Sequence, residues 1–444
     1  MRTHTGSFRL AAAAAAICCC LVSEKASAQQ QGAPVAAPPA PVRWSLGDVI
    51  ATAIAKHPQV GQADAGVRAA AARREQIASV RLPQVDATAG ASWAEALSGA
   101  SGDYDTFTAT TVKGTLTQLV TDFGRTGAAL ARADDLAAAS EQNARSARVD
   151  VVFAAAVAYF NVLRAENLKT VRRETVRQRE ALQRQAQAFF DAGLKARIDV
   201  VRAEANLYQA RADAAGVEHE VLTARLILLN RMGFDGPIDF ELAGAPGVAE
   251  AAGTVEDWQR EADEKHPYLV GLRLQLAAAR NNRLAAGRGN NPSITASGNL
   301  GWSGTDDLPS DRAWSVGAQL TVPVFDGFLT REQVAEADAQ LVAAEFALND
   351  RRREIRLLVE QAANSMQDAV EQLAASEKSR EAFAENLRLA TGRYEAGAAD
   401  IIEMIDAQVQ MTTAETNLVR ARFDQATALA SLYRALGRLP QPGL

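Results

Sequence analysis

Outside residues 18–20, this chain of 444 residues contains no cysteine. Those three cysteines lie in an apolar run at residues 10–22, which follows Arg2 and Arg9 and precedes Ala-Ser-Ala at residues 26–28. This order is typical of a secretory signal peptide, here cleaved after Ala28. Lipid attachment at one of Cys18 to Cys20 is the weaker alternative, because Cys18 follows Ile17 rather than a small residue. After cleavage we expect neither a disulfide nor a thiolate metal site.

A basic excess and long apolar runs are also absent. The formal net charge is −6, so nucleic acid is not an implied partner. Beyond the N-terminal run, no uninterrupted apolar stretch approaches roughly 18 residues, so no transmembrane helix is expected. An exported chain of this kind is periplasmic, secreted, or part of a β-barrel in the outer membrane.

Residues that could form a catalytic or metal site are scarce. His57 and His266 both precede a proline, His219 stands alone, and no cysteine nucleophile remains after cleavage. Residues 122–124 spell the Asp-Phe-Gly magnesium motif of protein kinases, but no glycine-rich loop or catalytic loop accompanies them. We therefore expect no enzyme activity, no cofactor and no metal.

Proline and glycine are nearly absent from two long stretches. Residues 125–190 contain no proline and only Gly127, and residues 328–396 contain no proline and only Gly392. Apolar residues recur there at every seventh position: Leu130, Ala137, Ala144, Val151, Ala158 and Ala165, then Val334, Leu341, Leu348, Ile355, Ala362 and Ala369. This repeat predicts coiled-coil helices, each roughly 100 Å long at about 1.5 Å per residue. A returning helix follows each one and ends at Gly233 or Gly437.

The sequence also repeats itself. Lys-His-Pro at residues 56–58 recurs at residues 265–267, an offset of 209, and after the next stretch the offset becomes 204, so that Gly233 matches Gly437. The five extra residues of the first copy fall between Trp93 and Leu116, where we expect a loop. Chance similarity in an alanine-rich chain is the alternative, but an ordered series of matches on two offsets argues against it.

Four stretches alternate apolar with small or polar residues, which is typical of β-strands with one dry and one wet face. In the clearest, AWSVGAQLTVPVF, the apolar face begins with Trp314 and Val316. The predicted strands cover residues 83–94, 106–121, 292–303 and 313–324, about the length that crosses a bilayer. Trp93, Trp302 and Trp314 lie at the loop ends, where aromatic residues form membrane-interface girdles. Water-soluble hairpins with core tryptophans are the alternative.

Four strands cannot close a barrel in lipid, because the smallest such barrels have about 8 strands. An open sheet edge would leave backbone groups without hydrogen-bond partners in the hydrocarbon. If these strands enter a membrane, several chains must therefore share one barrel. The polar helices must then extend from it into the periplasm, which makes the assembly a duct rather than a simple pore.

Over residues 45–439 the chain resembles the TolC-like outer membrane factor family of export ducts. Besides the duplicated plan, two motifs carry the resemblance: VPVFDGF at residues 322–328, similar to the strand-to-helix junction, and RYEAGAADIIEMIDAQ at residues 393–408, similar to the periplasmic turn. The resemblance implies a mainly α-helical fold with a transmembrane β part. In it a homotrimer forms a 12-stranded β-barrel, four strands per chain, on a long α-helical coiled-coil barrel.

The resemblance also implies a location and partners. The duct would lie in the cell outer membrane, with a periplasmic helical domain, in contact with outer membrane lipid. It would work with a periplasmic adaptor (membrane fusion) protein and an inner-membrane transporter of the ABC, RND or MFS type. The cargo stays open between small toxic compounds and type I secreted proteins. A periplasmic coiled-coil scaffold without a barrel is the alternative function.

By resemblance, Glu403 and Asp406 match the acidic positions at the narrowest point of a closed periplasmic aperture. They lie three residues apart on a predicted helix and share a face, so three copies would favour cations. Two solvated surface acids are the alternative. Tyr394 and Asp199 match two members of the network that holds the aperture closed.

The family's basic partner in that network is replaced here by Ala399, which puts the closing salt bridge in doubt and leaves Lys195 or Arg197 as substitutes. The turns that match the adaptor-contact grooves comprise Ala192, Gly193, Leu194, Ala396, Gly397 and Ala398, although simple helix termination also explains them. The expected organisation is a signal peptide (1–28), a flexible leader (29–43), a first repeat (44–234), a connector (235–253) and a second repeat (254–439).

Overall fold

The computed structural model describes residues 43–97, 104–244, 253–306 and 308–439. The predicted signal peptide, its cleavage site and residues 29–42 of the predicted leader lie outside the described residues. All of the elements below belong to the single unit that begins at Arg43.

Both sequence repeats fold into the same order of elements. The first repeat contains β1 (Arg43–Trp44), α1 (Leu46–Lys56), α2 (Pro58–Ala78), β2 (Gln84–Leu97), β3 (Tyr104–Thr121), α3 (Arg125–Asp191) and α4 (Arg197–Met232). The second contains β4 (Glu241–Leu242), α5 (Val255–Lys265), α6 (Pro267–Gly287), β5 (Ser293–Thr305), β6 (Asp311–Thr321), α7 (Leu329–Glu395) and α8 (Ile401–Ala435). The short strands β1 and β4 pair in parallel and link the start of the first repeat to the connector.

The four long strands form one antiparallel sheet in the order β2-β3-β5-β6. Directly paired residues lie on the same face of a sheet. The pairs Val85–Leu116, Leu116–Gly298 and Gly298–Val316 therefore bring the apolar positions of all four strands onto one face. On this face Val316 is 80% exposed within the single chain. The strands β2 and β6 are the two edges of the sheet, each with one unpaired side.

Two expectations about the strands were wrong. The last predicted strand was to reach residue 324, but β6 ends at Thr321, because Pro323 has no N–H group to donate to a ladder. The five extra residues of the first copy were assigned to a loop. Most of them instead lengthen the hairpin: β2 and β3 have 14 and 18 residues, whereas β5 and β6 have 13 and 11. Backbone pairing there extends to Leu97 and Tyr104.

The helices α3 and α7 contain 67 residues each, or roughly 100 Å at about 1.5 Å per residue. Helix α3 packs against α4 on one side and α8 on the other, and α8 also packs against α7, so the helices follow the order α4-α3-α8-α7. Every predicted heptad position is buried or half-buried. The largest apolar cluster includes Tyr159, Phe160 and Leu429, and it lies where α1, α3, α4 and α8 meet.

Within the described residues, α3 also contains an 18-residue segment with a mean hydropathy of 1.4. By length and composition alone, this helix is long and apolar enough to cross a membrane. Interspersed polar residues hid this segment from a search for uninterrupted apolar runs. About half of it, 56%, is buried inside the fold. It therefore serves as the core portion of α3, as buried helices of soluble domains do.

Each strand-to-helix junction is held by an aspartate. The Oδ2 atom of Asp122 accepts hydrogen bonds from the backbone N (2.7 Å) and Oγ1 (2.5 Å) of Thr126, and Oδ2 of Asp326 accepts one from the backbone N of Thr330 at 2.8 Å. Burial acts to raise the pKa of Asp122, but these hydrogen bonds outweigh it and hold the pKa below its usual value. The Asp-Phe-Gly sequence at residues 122–124 is thus part of a helix start, and Asp326, in Asp-Gly-Phe at residues 326–328, makes the equivalent contact in the second copy.

The repeated Lys-His-Pro segments form joints against which the returning helices end. Gly233 and Gly437 have φ values of +61° and +69°, and both lie directly on such a joint. A Cβ atom at Gly233 would lie 2.8 Å from His57 Cα, and one at Gly437 would overlap Pro267 Cδ. The repeat thus preserves a close backbone contact in both copies.

We expect Gly437→Ala to destabilise the protein by about 2 to 5 kcal/mol, because left-handed strain of about 1–2 kcal/mol adds to overpacking of about 1–3 kcal/mol. The matched control is Gly193→Ala, whose φ of +73° is similar but whose Cβ would meet open space. The control should show only the strain. Denaturant unfolding of the purified protein measures both, and equal losses would contradict the packing argument.

The joint at His266 predicts a pH dependence. Its Nδ1 atom accepts a hydrogen bond from the backbone N of Tyr268 at 3.2 Å, and burial together with the positive charge of Arg351 lowers its pKa to about 4, although the charge of Asp150 opposes this. The unfolded chain binds the proton near pH 6.5, so stability decreases as the pH falls from 6.5 to 4, by at most about 3 kcal/mol. His266→Asn keeps an N-cap acceptor without titrating. Between pH 7 and 4, the unfolding temperature of this variant should decrease less than that of the natural protein. An equal decrease in both proteins would contradict the assignment to His266.

Candidate functional site

The turn between α3 and α4 and the turn between α7 and α8 lie side by side at one end of the helices. Gly193 and Gly397 have nearly the same φ, +73° and +72°, and both donate a backbone hydrogen bond that closes the last helical turn. Behind the turns, an apolar cluster joins all four helices; it comprises Leu182, Ala186, Ala203, Tyr394, Ile401 and Met404. The six turn residues matched to adaptor contact, Ala192, Gly193, Leu194, Ala396, Gly397 and Ala398, are all exposed.

The two acidic residues of the predicted aperture start α8. Asp400 caps this helix by accepting a hydrogen bond from the backbone N of Glu403 at 3.0 Å. Glu403 and Asp406 are both exposed and lie on one side of the helix. Glu403 forms an ion pair across the turn with Arg393, whose Nε lies 3.2 Å from Oε1. Among the residues that the structure describes, Asp406 has no ion-pair partner.

Tyr394 is fully buried, and its ring lies 5.8 Å from that of Phe189. Its hydroxyl has no hydrogen-bond partner among the described residues. Burial raises the pKa of Tyr394, and the negative charge of Asp199 raises it further. The structure therefore brings Tyr394 and Asp199 within electrostatic range but does not join them by a hydrogen bond.

Lys195, one of the two candidates to replace the basic residue that is missing at position 399, contacts Ala399 directly. Its Nζ atom donates a hydrogen bond to the backbone oxygen of Ala399 at 3.2 Å and lies 5.4 Å from the centre of the Tyr394 ring. This contact joins the two turns across 204 residues of sequence. Arg197, the other candidate, is exposed and forms no ion pair with a described residue. The family pattern has a basic side chain at position 399. Here the backbone carbonyl of Ala399 instead accepts a hydrogen bond from Lys195.

The three girdle tryptophans follow a straight line across the sheet. Trp93 pairs with Thr108 of β3, Trp302 pairs with Val112, and Trp314 pairs with Leu300, which itself pairs with Gly114. The line therefore moves two residues along β3 for every strand crossed. With about 3.3 Å per residue and about 4.8 Å between strands, the line makes an angle of about 50° with the direction perpendicular to the strands. Strands tilted at roughly 35–45° would bring such a line nearly parallel to a membrane surface.

Sequence reasoning missed Arg393 as a functional candidate, although it opens the quoted turn motif. A basic residue at the end of one helix and an acidic residue in the first turn of the next are a frequent signal for a contact across a short turn. The pairing became visible only when the turn geometry was known. A buried arginine on α3, Arg179, was also missed, because nothing in the sequence near it distinguishes it from the solvated arginines of the same helix.

Comparison with known proteins gives a consistent result. The family model described as "Outer membrane efflux protein" matches residues 49–233 and 258–438, one segment in each repeat. The chain is 26% identical over 322 residues to the outer membrane protein TolC of Vibrio cholerae, covering 70% of this chain and 71% of that protein. It is 25% identical over 415 residues to the pyoverdine export outer membrane protein OpmQ of Pseudomonas aeruginosa, covering 88% and 85%.

Solved structures show the same fold. The outer membrane protein VceC from Vibrio cholerae superposes with a TM-score of 0.77 at 19% identity, covering 88% of this chain and 96% of that one. The match extends over the sheet and the long helices alike, because it covers nearly all of the described residues.

Proposed function

Because this chain belongs to the outer membrane efflux protein family, we propose that it exports cargo as a homotrimer together with a periplasmic adaptor and an inner-membrane transporter. It is an outer membrane channel of a tripartite efflux or secretion system, with a periplasmic helical part. The observation that carries this function is the match of both repeats to the family, over 49–233 and 258–438. A family of channels also accounts for the lack of a catalytic constellation in the sequence.

The sheet supports a trimer. A single chain supplies four strands with two open edges, β2 and β6, and backbone groups at such edges are costly in lipid. When three copies join edge to edge, the backbone groups of every strand have hydrogen-bond partners, and the result is a closed barrel of about twelve strands. The continuous apolar face then contacts lipid, and the tryptophan line forms its interface girdle. In a soluble scaffold this face would stay in water.

The periplasmic aperture is proposed at the turn end of the helices. Glu403 and Asp406 would line it in each copy, where a narrow ring of carboxylates attracts cations. Lys195 would hold the closed arrangement by fastening the α3–α4 turn to the carbonyl of Ala399, with the buried Tyr394 packed beneath. The exposed turns beside them form the proposed contact with the adaptor.

A deletion strain tests the function and separates the two cargo classes. Its susceptibility to drugs and bile salts is compared with its secreted protein profile, with a plasmid-borne copy of the chain as the control. Hypersensitivity with unchanged secretion indicates small-molecule efflux. Loss of one large secreted protein with unchanged susceptibility indicates type I secretion, and both together indicate a shared duct. No change in either would contradict the export function.

A further inference from the structure

A polar groove lies where α3, α4 and α8 meet, and it contains a buried guanidinium group. Arg179 of α3 is only 4% exposed, and its one hydrogen bond to a described residue runs from Nη1 to Oε1 of Gln408 at 2.5 Å. Within the part of the chain that the structure describes, no carboxylate lies within 4.0 Å of the nitrogens of Arg179 or of the neighbouring Arg172. Burial lowers the pKa of Arg179, as expected for a charge without a counter-ion.

The groove encloses about 140 Å³. Its lining includes Arg172, Thr175, Arg179, Asp213, Thr412 and Thr413. The hydroxyl groups of Thr175, Thr412 and Thr413 donate to carbonyls of their own helices at 2.9 Å. The two guanidinium groups are therefore the principal donors left to face the groove.

The charge balance of the lining is positive. Asp213 is its one carboxylate, and its Oδ1 atom accepts from Nε2 of Gln209 at 2.9 Å. Two guanidinium groups against one carboxylate leave a net charge of +1. A buried arginine requires a counter-charge or several hydrogen bonds to offset its desolvation, and Gln408 supplies one. The groove is large enough for several waters or for one small anion.

We propose that this groove binds a small oxyanion of the size of inorganic phosphate, which bridges Arg172 and Arg179 and fastens α8 to α3 and α4. A tetrahedral oxyanion fits the forked donors of two guanidinium groups and supplies the missing negative charge. Its position gives it a second effect, which rests on the proposed function. Gln408 lies two residues beyond Asp406, about 200° around α8 at about 100° per residue. The anion would thus hold α8 from behind the aperture and favour its closed arrangement.

The binding test uses the purified full-length trimer in phosphate-free detergent solution. Sodium phosphate is titrated against sodium chloride at equal ionic strength, by calorimetry and by unfolding temperature. We expect saturable binding of phosphate, a rise in unfolding temperature that chloride does not reproduce, and a loss of affinity of at least about tenfold in Arg172→Gln. Equal shifts with both salts, or no binding, would overturn the proposal.

Two further variants separate binding from folding. Arg184→Gln removes the same charge from an exposed position of α3 outside the groove, and it should bind phosphate like the natural protein. Arg179→Lys keeps a buried cation but loses the fork, so it should fold and bind phosphate more weakly. A loss of phosphate binding in Arg184→Gln equal to that in Arg172→Gln would overturn the site by indicating general charge attraction.

Planar-bilayer recordings test the effect on the aperture. Phosphate on the periplasmic side should decrease the open fraction of natural channels and leave Arg172→Gln channels unchanged. Phosphate binding without any change in opening would overturn the link to α8 while the binding site stands. A trimer that binds phosphate but never conducts would instead contradict the proposed function, so the two failures are distinguishable.

Discussion

We expect Val316→Arg to decrease assembly of the channel in the outer membrane. Val316 lies at the centre of β6 on the apolar face that is proposed to meet lipid, and 80% of it is exposed in the single chain. Val316 lies two residues inside Trp314 of the proposed interface girdle, so the cost of an arginine there falls between about 0–1 kcal/mol near the interface and about 2–4 kcal/mol at the bilayer midplane, and a trimer would carry three such arginines. The amount of cross-linked trimer in the detergent-extracted outer membrane fraction measures the loss.

The matched control is Gln319→Arg. It introduces the same side chain into the same strand, but position 319 belongs to the opposite, wet face of the sheet. Trimer levels should stay close to those of the natural protein. If both variants assemble equally well, the apolar face does not contact lipid and the arrangement of the barrel is wrong.

We expect Asp406→Asn to decrease the preference of the open channel for cations by about threefold or more in low salt. In each chain, Arg393 and Glu403 balance each other, so Asp406 supplies the net charge of the proposed aperture, −1 per copy. Removing it in three copies leaves a ring without net charge. Reversal potentials in asymmetric potassium chloride across planar bilayers measure the ratio of cation to anion permeability.

The ion pair across the turn supplies the controls for this prediction. Arg393→Gln leaves Glu403 unpaired and should raise the cation preference, because the net charge per chain becomes −2. Adding Glu403→Gln to that variant restores a net charge of −1 and should return the permeability ratio to near its natural value. A ratio that ignores all three changes would place the narrowest point elsewhere along the duct.

The family resemblance and the fold class are confirmed, and the reasons lie in the local patterns that carried them. Heptad spacing such as Val151, Ala158 and Ala165 requires a continuous helix with one buried stripe, and all three residues are buried in α3. Period-two alternation around Val316 requires a strand, since only a pleated chain places those residues on one face. Both signals depend on neighbours in sequence, so a single chain suffices to read them.

The candidate site was less accessible to sequence reasoning. The contact from Lys195 to the carbonyl of Ala399 joins atoms 204 residues apart, and a backbone acceptor leaves no trace in side-chain identity. The resemblance suggested that Tyr394 belongs to a closing network, but it could not reveal that its hydroxyl is buried without a partner. The groove around Arg179 needs three helices at once. These contacts depend on how distant helices pack against one another. The periodic pattern of each helix is compatible with many such packings, so it does not predict the contacts.

The two open edges of the sheet have a genetic consequence. In the proposed trimer, β6 of each chain must pair with β2 of the next chain. A single chain with a defective β6 edge therefore prevents closure of the barrel even when the other two chains are intact. When defective and intact chains are expressed equally and mix freely, only about one trimer in eight contains three intact edges. Edge mutations in this chain should therefore be dominant over the natural gene, whereas null mutations should be recessive.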